Sequence, residues 1–372
     1  QEEFSRELAA IQGKLESMEN RLRTAEPFSL TTKLTGEVLF ATVAVGDTEK
    51  ADGSEEDIDY NVTFGQRTRL TFDTSFTGTD MARLSFQGDS GNQLELSRLS
   101  YRFPVGKNAI VSVEATGGGL GDIADPLNPL FGTPSYGSIS RFATKNPIYR
   151  QGGGSGVGMT YEFNDAVSLS LGYLVEEGND PRIGISGGAY GAIAQLTFEP
   201  SKTAAIALTY VRSYNNINTG TGSDRANDPF DDESEAIAAD SLGVQSSIEF
   251  APNLTFAGWV GFTRATATDV PENPQANILN WALTLAATDL IKEGSLAGLM
   301  IGVPPKVINN DFAVDGRDYE DSDTSLQLEA FYRYPVMDNI AVTLGFLVVT
   351  NPEHNRDNDT IYLGTLRTTF SF

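Results

Sequence analysis

Cysteine is missing from all 372 residues. Its absence removes disulfides, thiolate metal sites and cysteine nucleophiles together. Histidine occurs once, as His354 in a polar Asn-Pro-Glu-His-Asn-Arg segment. A zinc enzyme or a Ser-His-Asp hydrolase would have to be built on that one ring. Positive charge is scarce: 26 Lys and Arg stand against 50 Asp and Glu, a formal net charge of −24. This argues against nucleic acid, whose binders present basic stripes. No apolar run approaches the roughly 20 residues of a spanning helix. No signal-peptide pattern stands at Gln1, so the chain reads as a mature or trimmed product. What is plentiful is glycine (37), phenylalanine (21) and tyrosine (13), a balance that suits strands. A membrane β-barrel fits too, because its apolar face is hidden in alternation and overall hydropathy stays low.

Residues 1–26 differ from the rest. Phe4, Leu8, Ile11, Leu15, Met18, Leu22 and Ala25 recur at alternating spacings of four and three. That is a heptad seam with Leu8, Leu15 and Leu22 at a and the others at d. Leucine at a with a β-branched residue at d favours trimers or tetramers. Gly13 weakens the middle and Pro27 ends the helix. The expectation is a trimeric coiled-coil stalk over 1–26, in the periplasm, ahead of a barrel domain over 28–372. A single amphipathic helix packed on its own domain is the plainer alternative.

From Phe28 onward period two takes over. Val167, Leu169, Leu171, Tyr173 and Val175 alternate with Ser168, Ser170 and Gly172; Ile340, Val342, Leu344, Phe346 and Val348 form another such face. One face is apolar and the other small or polar. The pattern predicts sixteen strands near 31–45, 60–77, 80–88, 93–103, 108–117, 154–163, 166–176, 188–199, 203–213, 241–251, 253–264, 278–288, 295–303, 324–335, 339–349 and 359–372. Short turns alternate with longer polar loops, and both ends fall on the short-turn side. This is the pattern of a transmembrane antiparallel β-barrel of the outer membrane. The final strand places Tyr362, Leu366, Phe370 and Phe372 on one parity. Tyr362, Phe370 and the terminal Phe372 resemble the signal that bacterial outer-membrane proteins present to their barrel-assembly machinery.

Three stretches carry a wider likeness: Asn61–Phe76 (NVTFGQRTRLTFDTSF), Leu94–Phe103 (LELSRLSYRF) and Leu363–Phe372 (LGTLRTTFSF). With the heptad seam and the sixteen-strand body, the chain resembles the cyanobacterial iron-uptake porins, relatives of the carbohydrate-selective porins. The resemblance implies homotrimers in outer-membrane lipid that pass inorganic ions, iron among them, and small solutes. It also implies an upstream S-layer-homology domain that would bind the cell wall and is absent from this sequence.

Three constellations follow from the strand plan. The longest connection, 118–153, follows the fifth strand, where trimeric porins fold a loop into the barrel as a constriction. Glycines at 117–119, 121 and 152–154 could supply its bends, and Asp122, Asp125, Arg141, Lys145 and Arg150 give it charge. An exposed external lid is the alternative. Second, strand parity turns Arg67, Arg69, Arg83, Arg98 and Arg102 toward the lumen, since an arginine at the lipid midplane would cost about 2–4 kcal/mol. Third, Asp47–Asp59, Asp224–Asp240 and Asp311–Asp323 carry net charges of −6, −6 and −5. All three fall in external loops, where hard oxygen ligands could hold Ca²⁺ or another cation, though solvated carboxylates binding nothing is the plainer alternative. No resident cofactor is expected. A sugar-preferring pore would call for aromatic rings in the lumen, with Trp259 the exception to the lipid parity. A wall-to-membrane tether is the structural rival, and an outer-membrane hydrolase built on His354 the enzymatic one.

Overall fold

The computed structural model describes residues 31–372 apart from 47–48, 52–55, 57–60, 92, 133–134 and 315. The heptad seam of residues 1–26 lies outside them. Alternating side chains build β1 (Thr32–Val45), β2 (Thr63–Thr74), β3 (Met81–Asp89), β4 (Glu95–Val105), β5 (Ala109–Gly119), β6 (Gly153–Asn164), β7 (Val167–Val175), β8 (Tyr190–Ser201) and β9 (Ala204–Tyr214). They continue through β10 (Ile237–Ala251), β11 (Leu254–Ala267), β12 (Gln275–Thr288), β13 (Leu296–Asn310), β14 (Ala313–Val314), β15 (Arg317–Asp318), β16 (Leu326–Met337), β17 (Ile340–Thr350) and β18 (Ile361–Ser371). Sixteen strands close into one barrel, each antiparallel to its sequence neighbours, while β14 and β15 form a separate ladder. Pairing of β1 with β18 shuts the cylinder and leaves no open sheet edge. Gly36 and Phe372 extend that seam by exchanging backbone hydrogen bonds of 2.8 and 3.0 Å.

The two faces are inverted relative to a soluble protein. Val157, Leu171, Leu208, Leu242, Val260 and Leu344 stand exposed on the outside, whereas Ser170, Gln195, Thr209, Ser241, Gln245 and Thr263 are buried on the inside. This is the arrangement of a barrel solvated by lipid. No helix among the described residues is long and apolar enough to cross a membrane, so the crossing is made by strands.

The strands differ from the sequence reading mainly on one wall. β13 runs seven residues past the expected end at 303, through Pro304 and Pro305. Proline cannot donate to a ladder, but here the constraint is relaxed. Pairing with β16 stops at Gly302, and the register to β12 slips between Leu279 and Trp281. β10 and β12 likewise begin earlier than expected, at Ile237 and Gln275. The wall β10–β13 therefore extends farther at the long-loop end. Its added inner surface, Ala239, Ala265, Ala267, Ala276, Ile278 and Val307, receives Ile217, Ala226 and Phe230 from the β9–β10 connection.

Candidate functional site

The connection from β5 to β6 turns inward at two glycines. Gly117 has φ +67° and a Cβ there would lie 1.9 Å from the Ser97 carbonyl oxygen; Gly154 has φ +100° and its Cβ would lie 2.3 Å from that of Val175. Only glycine fits both conditions. Between them the register slips, with Glu114–Gly118 spanning the same ladder as Gly156–Gly154, a bulge that bends the strand end. The chain then forms the single-turn helix α1 (Leu120–Ile123).

Side chains pin the loop against the inner wall. Leu120, Ile123, Ile148 and Tyr149 pack on Leu174, Ile193 and Val211 of β7–β9. Phe131 and Phe142 pack on the opposite arc, meeting Phe331 and Trp259 edge-on at 5.2 and 5.8 Å. The buried Tyr149 hydroxyl donates to Gln195 and accepts from Gln245. Glu329 accepts from the amides of Ile139 and Ser140 at 2.7 and 3.1 Å. Arg367 donates to the carbonyls of Gly137 and Ser138 at 2.8 and 3.1 Å. All these partners lie on inward faces, so the loop sits within the barrel and is not an external lid.

A space of about 840 Å³ remains between the loop and β1, β2 and β18. The wall contributes aliphatic Leu39, Ala41, Val43 and Leu363 together with Arg67 and Arg367; the loop contributes Asp122, Arg141, Lys145 and Arg150. Asp122 is held by Arg98 at 2.5 Å. Arg141 donates to the Thr219 carbonyl at 3.1 Å, and Arg150 to the Arg141 carbonyl and Thr144 Oγ1 at 2.6 and 2.7 Å. Among the described residues Arg141, Lys145 and Arg150 form no ion pair, so their charge is left to the water in the space. Burial, then Arg150 and Arg141, pushes the Lys145 amine down to about 8, with Asp122 opposing. Asp125 does not border this space; burial pushes its carboxyl up, against the pull of Arg102.

The five strand arginines lie on the inward parity, but most of their charge is matched. Arg67 meets Glu37 at 3.3 Å and donates to Ser135 at 2.6 Å. Arg83 forms a fork with Asp73 at 2.7 and 2.8 Å. Arg98 forms one with Glu114 at 3.1 and 2.8 Å. Arg69 donates to Gln87 at 2.6 Å, and Arg102 forms no ion pair among the described residues. Rather than a bare basic ladder, the wall is an interleaved row of arginines and carboxylates. Of the five, Arg67 alone borders the space. Glu37, Asp73, Glu114 and Arg367 were missed by the sequence reading, although the parity rule that turned the arginines inward applies equally to them.

The remaining candidates have structural roles. His354 is buried, with Nδ1 accepting from the Ser325 amide at 2.8 Å and Nε2 2.9 Å from the Pro305 carbonyl. Burial pushes its ring down to about 4, with the Pro305 carbonyl opposing, which leaves the neutral form pinned between backbone groups. Trp259 has the lumen parity but is covered by Phe142. Tyr362 stacks outward with Phe346, and Phe370 sits edge-on to Phe40. In the acidic stretches, Asp240 pairs with Arg212 at 2.5 Å and Asp321 accepts from Ser223 and the Val307 amide at 2.8 and 2.7 Å. Among the described residues no three His, Asp or Glu side chains converge to hold a metal ion.

Comparison with known proteins gives the same picture. The family described as "Carbohydrate-selective porin, OprB family" matches residues 1–372. The uncharacterized protein sll0772 of Synechocystis sp. is 32% identical over 421 residues, an alignment that covers the whole of this chain and 75% of that protein. OprB of Pseudomonas putida at high pH superposes with a TM-score of 0.59 at 11% identity, covering 96% of this chain and 97% of that one. The anion-selective porin from Comamonas acidovorans gives a TM-score of 0.56 at 11% identity, covering 92% and 99%. At that identity the two structures speak for the fold.

Proposed function

This chain belongs to the OprB family of carbohydrate-selective porins and is a channel of the outer membrane, and from that premise we propose that it passes small anions and small hydrophilic solutes by passive diffusion. The observation that carries this reading is the constriction, where Arg141, Lys145 and Arg150 border the open space and form no ion pair among the described residues, while Asp122, the one acid among the described residues that line it, is held by Arg98. In a narrow bore such charges act on an ion with little screening. Iron fits this reading as cargo in an anionic complex, because a bare ferrous or ferric ion meets like charge. A sugar-preferring pore is the second reading, favoured by the family. Against it stands the lining of the space, which includes no aromatic ring among the described residues; Trp259 is buried beneath the loop, and Tyr149 is buried between loop and wall.

The assembly we infer is a homotrimer whose coil over 1–26 stands in the periplasm, with the long loops outside. The heptad seam supports it, and a monomer or dimer by mass measurement in mild detergent would sink it. The channel reading is tested in planar bilayers across a salt gradient. The wild type should give discrete conductance steps and an anion-side reversal potential, and Lys145→Gln with Arg150→Gln should move it toward cations. A cation-side potential in the wild type overturns the anion preference. Absence of any conductance would favour a tether.

A further inference from the structure

One row of side chains outside the barrel has no part in the channel. At a single level across the sheet, Arg212 of β9 faces Asp240 of β10, Asp240 faces Arg264 of β11, Arg264 faces Asn277 of β12, and Asn277 faces Asn309 of β13. The row shares its parity with exposed Tyr210, Leu242 and Val260, so it points away from the lumen. One step toward the short-turn end the outward face becomes apolar through Tyr210, Leu242, Phe262 and Leu279, which are themselves in register. The edge of the hydrocarbon therefore passes between the two rows. Beside the polar row, Tyr173, Tyr190 and Tyr214 stack at 5.4 and 6.0 Å, a belt that suits the headgroup level.

The charges in this row are unevenly matched. Asp240 accepts from Arg212 at 2.5 Å and from the Tyr210 hydroxyl at 2.6 Å, which engages both of its oxygens. Arg264 forms no ion pair among the described residues and has only a 3.4 Å approach to Asn277. The Asn277 amide donates to Asn309 at 3.2 Å. On a chain of net charge −24, two arginines stand beside a single carboxylate, which pairs with only one of them, at the height where lipid headgroups lie. A guanidinium fork matches the paired oxygens of a phosphate or sulfonate.

We infer that this row is a binding site for the oxyanion headgroup of an anionic lipid in the outer leaflet. The acyl chains of such a lipid would lie on Tyr210, Leu242, Phe262 and Leu279 directly beneath, a fit that neither a free anion nor a protein partner requires. Native mass spectrometry of the whole protein from micelles doped equally with phosphatidylglycerol and phosphatidylcholine tests it. The wild type should retain phosphatidylglycerol in excess, and inorganic phosphate in the buffer should not displace it. Arg212→Gln with Arg264→Gln should abolish the preference, while Asp240→Asn, which frees Arg212, should strengthen it. Conductance of the double variant should match the wild type, showing an intact barrel. Equal retention of the two lipids by the wild type, an undiminished preference in the double variant, or displacement by phosphate each overturns the proposal. So does a double variant whose oligomeric mass changes while its lipid retention does not, because the row would then be a contact between copies.

Discussion

At the scale of single residues, position decides what a charge is worth. Lys145 is the first cation of the constriction to lose its proton: burial and its arginine neighbours hold its amine near 8, while burial and then Arg141 lower the Arg150 guanidinium to about 9. Raising the pH from 7 to 9 discharges the amine, so the anion preference should fall over that interval. Lys145→Arg should shift the pH dependence upward and Lys145→Gln should leave only the part that Arg150 contributes, both read as reversal potentials. A wild-type potential flat across the interval would refute this. The Arg98–Glu114 fork supplies an asymmetric pair of substitutions. Glu114 is 1% exposed at its side chain, so Arg98→Ala strands a buried carboxylate and should cost about 3–5 kcal/mol. Glu114→Ala leaves Arg98 its second acid, Asp122 at 2.5 Å, and should cost about 1–3 kcal/mol. Urea unfolding of the two variants compares them directly, and an equal cost would mean that Asp122 does not hold Arg98 in solution.

At the scale of elements, the long connections are tied to one another by buried groups. The β13–β16 connection sends Asp321 to Ser223 and Val307, and the turn Pro352–His354 sends Glu353 to the Asp224 amide. Burial pushes Asp321 up to about 6, with the two hydrogen bonds opposing. A carboxyl whose value is higher when packed than when free binds its proton more tightly in the packed state. Packing is therefore favoured below about 6, and that gain is lost as the pH rises through it. Asp321→Asn should remove part of the protection that residues 219–230 gain in hydrogen exchange between pH 7.5 and pH 5, after correction for intrinsic rates. Glu353 and Asp228, whose carboxyls burial also pushes up, keep their share, while His354, pushed down, acts in the opposite sense. A pH dependence unchanged in the variant would assign it to those other groups.

Elements also show what was legible beforehand. β7 and β17 could be bounded within a few residues, because large apolar side chains alternate with small ones over most of their length and a short turn closes one end. β13 could not, since whether a Pro-Pro pair ends a strand depends on whether a neighbour needs its amides. The carboxylate partners of the arginines were hidden for a related reason. Parity belongs to one strand, but the pairing of Arg83 with Asp73 or Arg98 with Glu114 belongs to the register between two, and a bulge shifts the second. The inward loop was half legible. Its glycine bends mark the hinge, but Phe131, Phe142 and Tyr149 look like any apolar residues in a long loop until the wall they meet is known.

At the scale of the molecule, two opposed fields stand in series along the axis. Most of the net charge of −24 lies in the long loops, whereas the constriction carries Arg141, Lys145 and Arg150, which form no ion pair among the described residues. The reach of each is set by salt, with a Debye length of about 30 Å at 0.01 M and about 8 Å at 0.15 M. In dilute salt the acidic mouth depletes anions before they arrive, and the two fields partly cancel. Near physiological salt the mouth is screened, while an ion inside the constriction still passes within a few ångströms of the cations. The ratio of anion to cation permeability should therefore rise between 0.01 and 0.15 M, against the usual fading of electrostatic selectivity with salt. Asp232, Glu233 and Glu235 are exposed on the β9–β10 connection and, among the described residues, form no ion pair. Replacing them as Asp232→Asn, Glu233→Gln and Glu235→Gln should lift the ratio at 0.01 M and leave it nearly unchanged at 0.15 M. A wild-type ratio that is highest in the most dilute salt would show that the mouth does not oppose the constriction, and that the loop carboxylates lie too far from the ion path to be felt.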